Sequence, residues 1–470
     1  MTDLHQLSAA ELVAGYASRS LSPVEATRAC LERMARWEPG LNAMYRVHAD
    51  AALAQAAASE ARWRAGQPLS GLDGVPLTLK ENIATIGDPM PVGTRANEDA
   101  PAALEDAPAA ARVREAGCVI LGKTTMPDYG MLSSGLSSLH GVTRNPWRLD
   151  RNTSGSSSGA GAAAAAGYAP LHLGTDIGGS VRLPATHCGI FALKPSGGRV
   201  PVSPPYLGRV VGPMTRSVRD AALLLAVCAR PDPQERDYTS LPYEDRDYAS
   251  GLERFEARGL RIGLLTDMRA GLAAHPEARA AAEAAAGALE AQGARVTVMP
   301  SFLTPDMLEG MCRFFEARSF NDFNALPEGR RAKVLPFIAE WCTWRAGGFS
   351  GAAVMAAYTQ VLAMREAAVR ACRDYDFVIT PTSPILPYEA GLPCPGNDPH
   401  DALPHIAFTV PYNMSEQPAA SLNWTASRDG LPVGVQVVGR RFDDAGVLGL
   451  SRLLEKLRPA QRAWPEPPGP

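Results

Sequence analysis

The stretch GTDIGGSVRLP, Gly174 to Pro184, comes soon after TSGSSSGAGAAAAAG, Thr153 to Gly167, and the two together decide how the chain is read. Glycine inside a regular element costs roughly 0.5–1 kcal/mol relative to alanine, so a cluster this dense marks backbone shapes or close approaches that side chains would forbid. GSSSG, Gly155 to Gly159, has the G-x-S-x-G spacing of a nucleophile elbow with Ser157 at its centre. An elbow needs an apolar strand before it, whereas RNPWRLDRNT is polar and broken by Pro146. The loop does enter a helix, AGAAAAAG, whose small side chains permit close packing. In TDIGGS the backbone N–H groups of Ile177, Gly178, Gly179 and Ser180 can converge on one point. That geometry stabilises a developing oxyanion, with Ser180 as the attacking hydroxyl. Neither the Walker pattern nor G-x-G-x-x-G fits these residues, so acyl transfer is favoured over nucleotide binding.

Upstream, in GVPLTLKEN, Lys80 ends a short run that reads as a buried strand. Desolvation penalises the ammonium form and drives the pKa down, and a neutral lysine is a general base. The plainer alternative is an exposed lysine at a strand end.

Working outward, Ser8-Ala9-Ala10-Glu11 and Ser22-Pro23-Val24-Glu25 read as capping boxes that open two helices. Strands are expected at Val75 to Leu79, Val119 to Leu121, Leu260 to Asp267, Ala294 to Pro300 and Asp376 to Pro384, with helices at Ala107 to Ala116 and Pro276 to Gln292. Short buried runs alternating with helices predict an α/β fold, a single large domain with a mixed, mostly parallel central sheet covered by helices on both faces. The expected parts are N-terminal helices (1–65), a catalytic core (66–230), a variable helical region (231–373) and the C-terminal part of the core (374–470). The aromatics Phe314, Phe315, Phe320, Phe323, Trp341 and Trp344 of the variable region read as helix-packing core rather than pocket wall.

Composition narrows the function classes. The 470-residue chain carries a net charge of −3, which leaves no electrostatic footprint for nucleic acid or an anionic membrane. The start, MTDLHQLSAAELVAGY, lacks a basic stretch followed by an apolar one, and no run of eighteen apolar residues occurs, so a soluble, cytoplasmic protein is expected. Eight scattered cysteines without a C-x-x-C pair argue for free thiols, and eight histidines without ligand spacing give metal catalysis no support.

With these segments assembled, the chain resembles the amidase signature family of hydrolases. The likeness runs through GVPLTLKEN, GKTTMPDYG, NPW, GSSSGAGAAAAAG, LGTDIGGSVRLPATHCGIFALKPS, GPMTRSVRDAALLL, VITPTSP and FTVPYNMSEQPAASLN, and on to DGLPVGVQVVG. It covers most of the chain and is weak over Pro231 to Arg373. The resemblance implies Ser180 as nucleophile, Ser156 on a cis Gly155–Ser156 peptide as the bridging serine, and Lys80 as the base, 24 positions separating the two serines. It implies an oxyanion hole from the backbone of Ile177, Gly178, Gly179 and Ser180, with Ser157, Asp176 and Arg182 as supporting residues. Asp176 and Arg182 could equally pair only to hold the loop. Met126, Tyr129 and Met131 are candidate substrate contacts for an apolar acyl or aryl group. No cofactor and no metal are implied.

The family cleaves amides, ureas, carbamates and some esters, so the expected partner is a small-molecule amide, carbamate or ester, with no nucleic acid and no membrane; a homodimer is compatible. Glu416 in NMSEQPA, where relatives carry glycine, and Asn423, where proline is common, are expected to reshape the far side of the pocket. Two alternatives stand beside this reading. One is the A subunit of a tRNA-dependent amidotransferase, although GGRVPVSPPYLGRVVGPMTR differs from the longer element typical there. The other is a Ser-His-Asp hydrolase with Ser157 as nucleophile.

Overall fold

In the computed structural model, which describes residues 3–467, both N-terminal capping boxes are formed. Ser8 Oγ accepts from the Glu11 amide and Glu11 returns a carboxylate to the Ser8 amide, and Ser22 and Glu25 repeat the arrangement at the start of Pro23–Leu41. Each satisfies donors that the first helical turn leaves free.

One eleven-stranded sheet organises the chain. From edge to edge its strands are Met44–Val47, Val119–Thr124, Pro76–Lys80, Leu171–Asp176, Val210–Thr215, Phe191–Lys194, Ala419–Ala426, Pro432–Gly439, Phe377–Pro381, Arg261–Leu264 and Arg295–Val298. The α/β class and mixed sheet are as expected, but the balance of directions is not. Four neighbouring pairs are parallel and six are antiparallel.

The physical reason lies in the connections. Pro76–Lys80 and Val119–Thr124 are separated by the helix Pro108–Glu115, and Arg261–Leu264 and Arg295–Val298 by Pro276–Ala291, which are crossovers long enough for parallel pairing. These are the alternations visible in the sequence. Ala419–Ala426 and Pro432–Gly439 are joined by a turn closed by Ser427 and Leu431, too short for a crossover, so they pair antiparallel.

Pro432–Gly439 is buried along its whole length and packs against Arg182–Cys188, Pro276–Ala291 and Asp444–Leu457, so both faces of the sheet are covered there. The alanine-rich helix Ser158–Ala166 is buried at every residue, between Arg182–Cys188 and the strands Pro76–Lys80, Val119–Thr124, Leu171–Asp176 and Val210–Thr215. A helix apolar all round has no face to give to water. Its small side chains bring the GSSSG loop down onto the sheet, which places Ser156 and Ser157 beside the end of the Lys80 strand.

The region between residues 302 and 373 is helical, with Pro305–Ala325, Pro336–Thr343 and Gly351–Cys372 as its main elements. All eight cysteines are free. Among the described residues no cluster of His, Cys, Asp or Glu could hold a metal ion, and no helix is long and apolar enough to cross a membrane.

Candidate active site

Lys80 is the last residue of a strand buried at all five positions. Its Nζ lies 2.8 Å from Ser156 Oγ, 3.1 Å from Ser157 Oγ and 3.0 Å from Thr175 Oγ1, with no carboxylate in contact among the described residues. Burial pulls the Lys80 amine down to about 7; the Arg209 charge adds to the effect, and Asp176 and Glu81 oppose it. The site therefore holds a lysine that loses its proton near neutrality, as a general base needs.

Ser156 follows a cis Gly155–Ser156 peptide. Ser157 is fully buried; its hydroxyl donates to the Thr175 carbonyl at 3.1 Å and accepts from Lys80, and no histidine is among its partners. An elbow nucleophile would need an imidazole there. His172, the histidine on the neighbouring strand, hydrogen-bonds Thr78 and the Ala169 carbonyl, and burial pushes it down to about 3.

Ser180 is tied to the cluster through its main chain, its carbonyl accepting from the Ser157 amide at 3.1 Å. It lines a cleft of about 580 Å³ that opens to solvent. Ser156 borders the same cleft, because a Cβ added at cleft-lining Gly130 would stand 3.1 Å from Ser156 Oγ. The Ser180 hydroxyl forms no hydrogen bond to Ser156 among the described residues. Catalytic hydrogen bonds commonly tighten only when substrate arrives.

Asp176 and Arg182 form a wholly buried pair, with Arg182 Nη2 3.0 Å from Asp176 Oδ1. Arg182 also donates to the Thr409 carbonyl, Gln436 Oε1 and Asn413 Oδ1. Asp176 accepts from the Gly179 and Val181 amides and from Asn413 Nδ2. Burial opposes the Asp176 charge, but Arg182 and these hydrogen bonds outweigh it and hold the carboxyl well below the usual range.

The main-chain donors of this loop are not equivalent. The Gly179 amide is committed to Asp176 at 2.8 Å, which leaves Ile177, Gly178 and Ser180 as the main-chain donors of the loop. Gly179 matters for another reason. Its φ is +130°, and a Cβ there would stand 2.5 Å from Thr409 Oγ1. Asp176 and Arg182 thus shape the loop from behind rather than reaching the cleft.

Of the candidate substrate contacts, Tyr129 and Met131 line the cleft, whereas Met126 does not. Met126 is buried beneath the wall, its Cε against Gly130. Phe315 and Trp341 of the helical region line the cleft with Leu403 and Ile406, while Phe314 and Phe323, partly buried, pack against the core. Helix-packing core therefore describes only some of those aromatics. Glu416 and Asn423 are both away from the cleft. Glu416 pairs with Arg365 and Arg441, each at 2.7 Å, and Asn423 hydrogen-bonds Gln461.

Thr175, Asn82, Asn413, Thr409 and Gln436 escaped the sequence reading. Thr175 precedes Asp176 in LGTDIGG and shares the lysine, with Asn82 Nδ2 3.1 Å from its hydroxyl; a threonine beside Asp176 on that strand was the available signal. Asn413, Thr409 and Gln436 come from distant segments and gave none.

The Amidase family profile matches residues 25–448, spanning the variable region as well. The chain is 35% identical to the A subunit of glutamyl-tRNA(Gln) amidotransferase from Myxococcus xanthus (strain DK1622), over 97% of each chain. The crystal structure of a bacterial aryl acylamidase belonging to the amidase signature enzymes superposes with a TM-score of 0.88 at 30% identity, covering 97% of this chain and 96% of the other. That of 6-aminohexanoate cyclic dimer hydrolase with substrate superposes at 0.86 and 30% identity, covering 98% of both. A profile matched over most of the chain, and full-length likeness to such enzymes in sequence and in fold, establish that this chain belongs to the amidase signature family.

Proposed function

We propose that the protein hydrolyses amide bonds of small molecules through an acyl-enzyme, with Ser180 as nucleophile, Ser156 as bridge and Lys80 as base. The observation that carries this reading is the neutral-prone, buried Lys80 Nζ 2.8 Å from Ser156 Oγ, at the edge of the cleft that Ser180 lines. The Ser180 oxygen forms a bond to the substrate carbonyl carbon while its proton passes through Ser156 to Lys80. The resulting oxyanion is met by the amides of Ile177, Gly178 and Ser180. Collapse breaks the C–N bond, and the proton held by Lys80 returns through Ser156 to the departing amine. Water then attacks the ester by the same route, breaks the Ser180 O–C bond and releases the acid. Carbamates and esters present the same carbonyl, so the cleft rather than the relay sets the choice. Its apolar lining by Met131, Leu132, Ile177, Phe315 and Trp341 favours aryl or acyl amides of linear type.

The test is release of amine from a neutral anilide by the purified chain alone, without ATP. A fluorophosphonate should label Ser180; label on Ser157 would replace this mechanism with the elbow. A second reading is favoured by the 35% identity to the A subunit of an amidotransferase. Under that reading, the chain alone would leave anilides intact, and activity would require partner subunits and glutamyl-tRNA(Gln).

The pH dependence follows from Lys80. The amine is a base only when unprotonated, and its pKa lies at about 7. The kcat/KM for a neutral amide should therefore rise with pH through a limb centred near neutrality and level off above it. A profile flat between about pH 5 and 9 would remove Lys80 as the base.

A further inference from the structure

We propose that the cleft selects substrates in which an apolar chain or ring separates the scissile carbonyl from a carboxylate, the carboxylate being read by Arg318 with Arg209 behind it; this rests on the amide-hydrolase reading. Arg318 is the only charged residue among the described residues lining the cleft, where it stands with Ser180 and the apolar surfaces of Phe315, Trp341 and Ile406. Its guanidinium lies 4.2 Å from the Tyr206 ring centre, and its Nε is 3.8 Å from Asp322 Oδ2, beyond hydrogen-bonding reach. Arg209 makes only two long contacts, 3.4 Å to the Pro204 carbonyl and 3.5 Å to the Asn82 carbonyl, and pairs with no acid among the described residues. Burial lowers its pKa to about 10, and the nearby Arg318 charge acts in the same direction.

Other buried arginines of this fold are compensated. Arg182 has Asp176, Arg199 has Asp444, Arg33 has Glu466, and Arg216 donates to the last carbonyls of the Ser158–Ala166 helix. Arg209 is partly buried with no acid partner among the described residues, and the part-exposed Arg318 has only the Asp322 carboxylate at 3.8 Å, so an anion supplied from outside adds hydrogen bonds that neither guanidinium now makes to an acid. The planar fork of a guanidinium matches a carboxylate with two parallel hydrogen bonds. Arg318 reaches the cleft from a helix more than a hundred residues downstream of Ser180.

Two matched pairs test this. Glutaryl p-nitroanilide is compared with its uncharged branched aliphatic isostere, and para-acetamidobenzoate with para-isopropylacetanilide, which places the carboxylate on the acyl and on the amine side respectively. In at least one pair the carboxylated member should have the higher kcat/KM, by about tenfold or more. That ratio should fall to near one in Arg318→Gln and survive in part in Arg318→Lys. Equal or inverted ratios in both pairs, or a ratio indifferent to Arg318→Gln, would overturn the proposal. Calorimetric titration of the two carboxylated compounds into Ser180→Ala, with and without Arg318→Gln, separates this from the hydrolase reading. Binding that depends on Arg318 upholds the carboxylate subsite even if no amide is turned over. Absent binding, or binding indifferent to Arg318, refutes it even in an active amidase.

Discussion

Replacing Ser180 by alanine is expected to lower kcat/KM for any amide the protein cleaves by at least about a thousandfold, and Lys80→Met to do nearly the same. The two should not add. A nucleophile and the base that activates it work as one unit, so once either is gone the other has nothing to act on. Lys80→Met preserves the length of a side chain buried at a strand end and removes an amine that burial pushes down to about 7. Its unfolding midpoint should therefore match or exceed that of the wild type. Loss of activity with an unchanged or raised midpoint would place the effect in the chemistry. Full turnover in a folded Lys80→Met protein would dismiss the relay and leave Ser180 to be activated by another group.

Removing Arg182 should be the most destabilising single change near the site. Arg182→Met strands the fully buried Asp176 carboxylate and leaves the Asn413, Gln436 and Thr409 acceptors without their donor. Breaking one side of such a pair costs about 3–5 kcal/mol. Asp176→Asn introduced on top should recover part of the loss, because a neutral amide keeps an acceptor for the loop amides without an unpaired charge. Chemical denaturation of the wild type and these two variants measures this. The wild-type pair also sets a direction with pH. The folded-state pKa of Asp176 lies below its ordinary value, so its contribution is complete above that ordinary value of 3.8 and fades as pH falls through the folded-state pKa. A midpoint unmoved by Arg182→Met would mean that the pair holds nothing that packing does not already hold.

Much of the site was legible in the residues themselves. A lysine ending an apolar run, a glycine- and serine-rich loop entering an all-small helix, and a second glycine loop carrying another serine point by type and order to the proposed chemistry. They do not reveal how each group is spent. The Gly179 amide looked equivalent to its neighbours, yet Asp176 takes it. Thr175 looked like an ordinary strand residue, yet it shares the lysine with both serines. Met126 looked as available as Tyr129 and Met131, but the path of the chain turns it under the wall.

What the sequence determined alone was local: the two capped helices, the buried strand that ends in Lys80, and the places where only small residues or glycine can stand. Each depends on neighbours a few positions away, whose spacing is written in the chain. The tertiary structure decided the order and direction of the eleven strands, the closure of the Arg182 network by residues beyond 400, and the arrival of Phe315, Arg318 and Trp341 at the mouth over Ser180. Those contacts join segments more than a hundred residues apart. Their formation depends on how whole strands and helices bury their faces against one another, which no single stretch encodes.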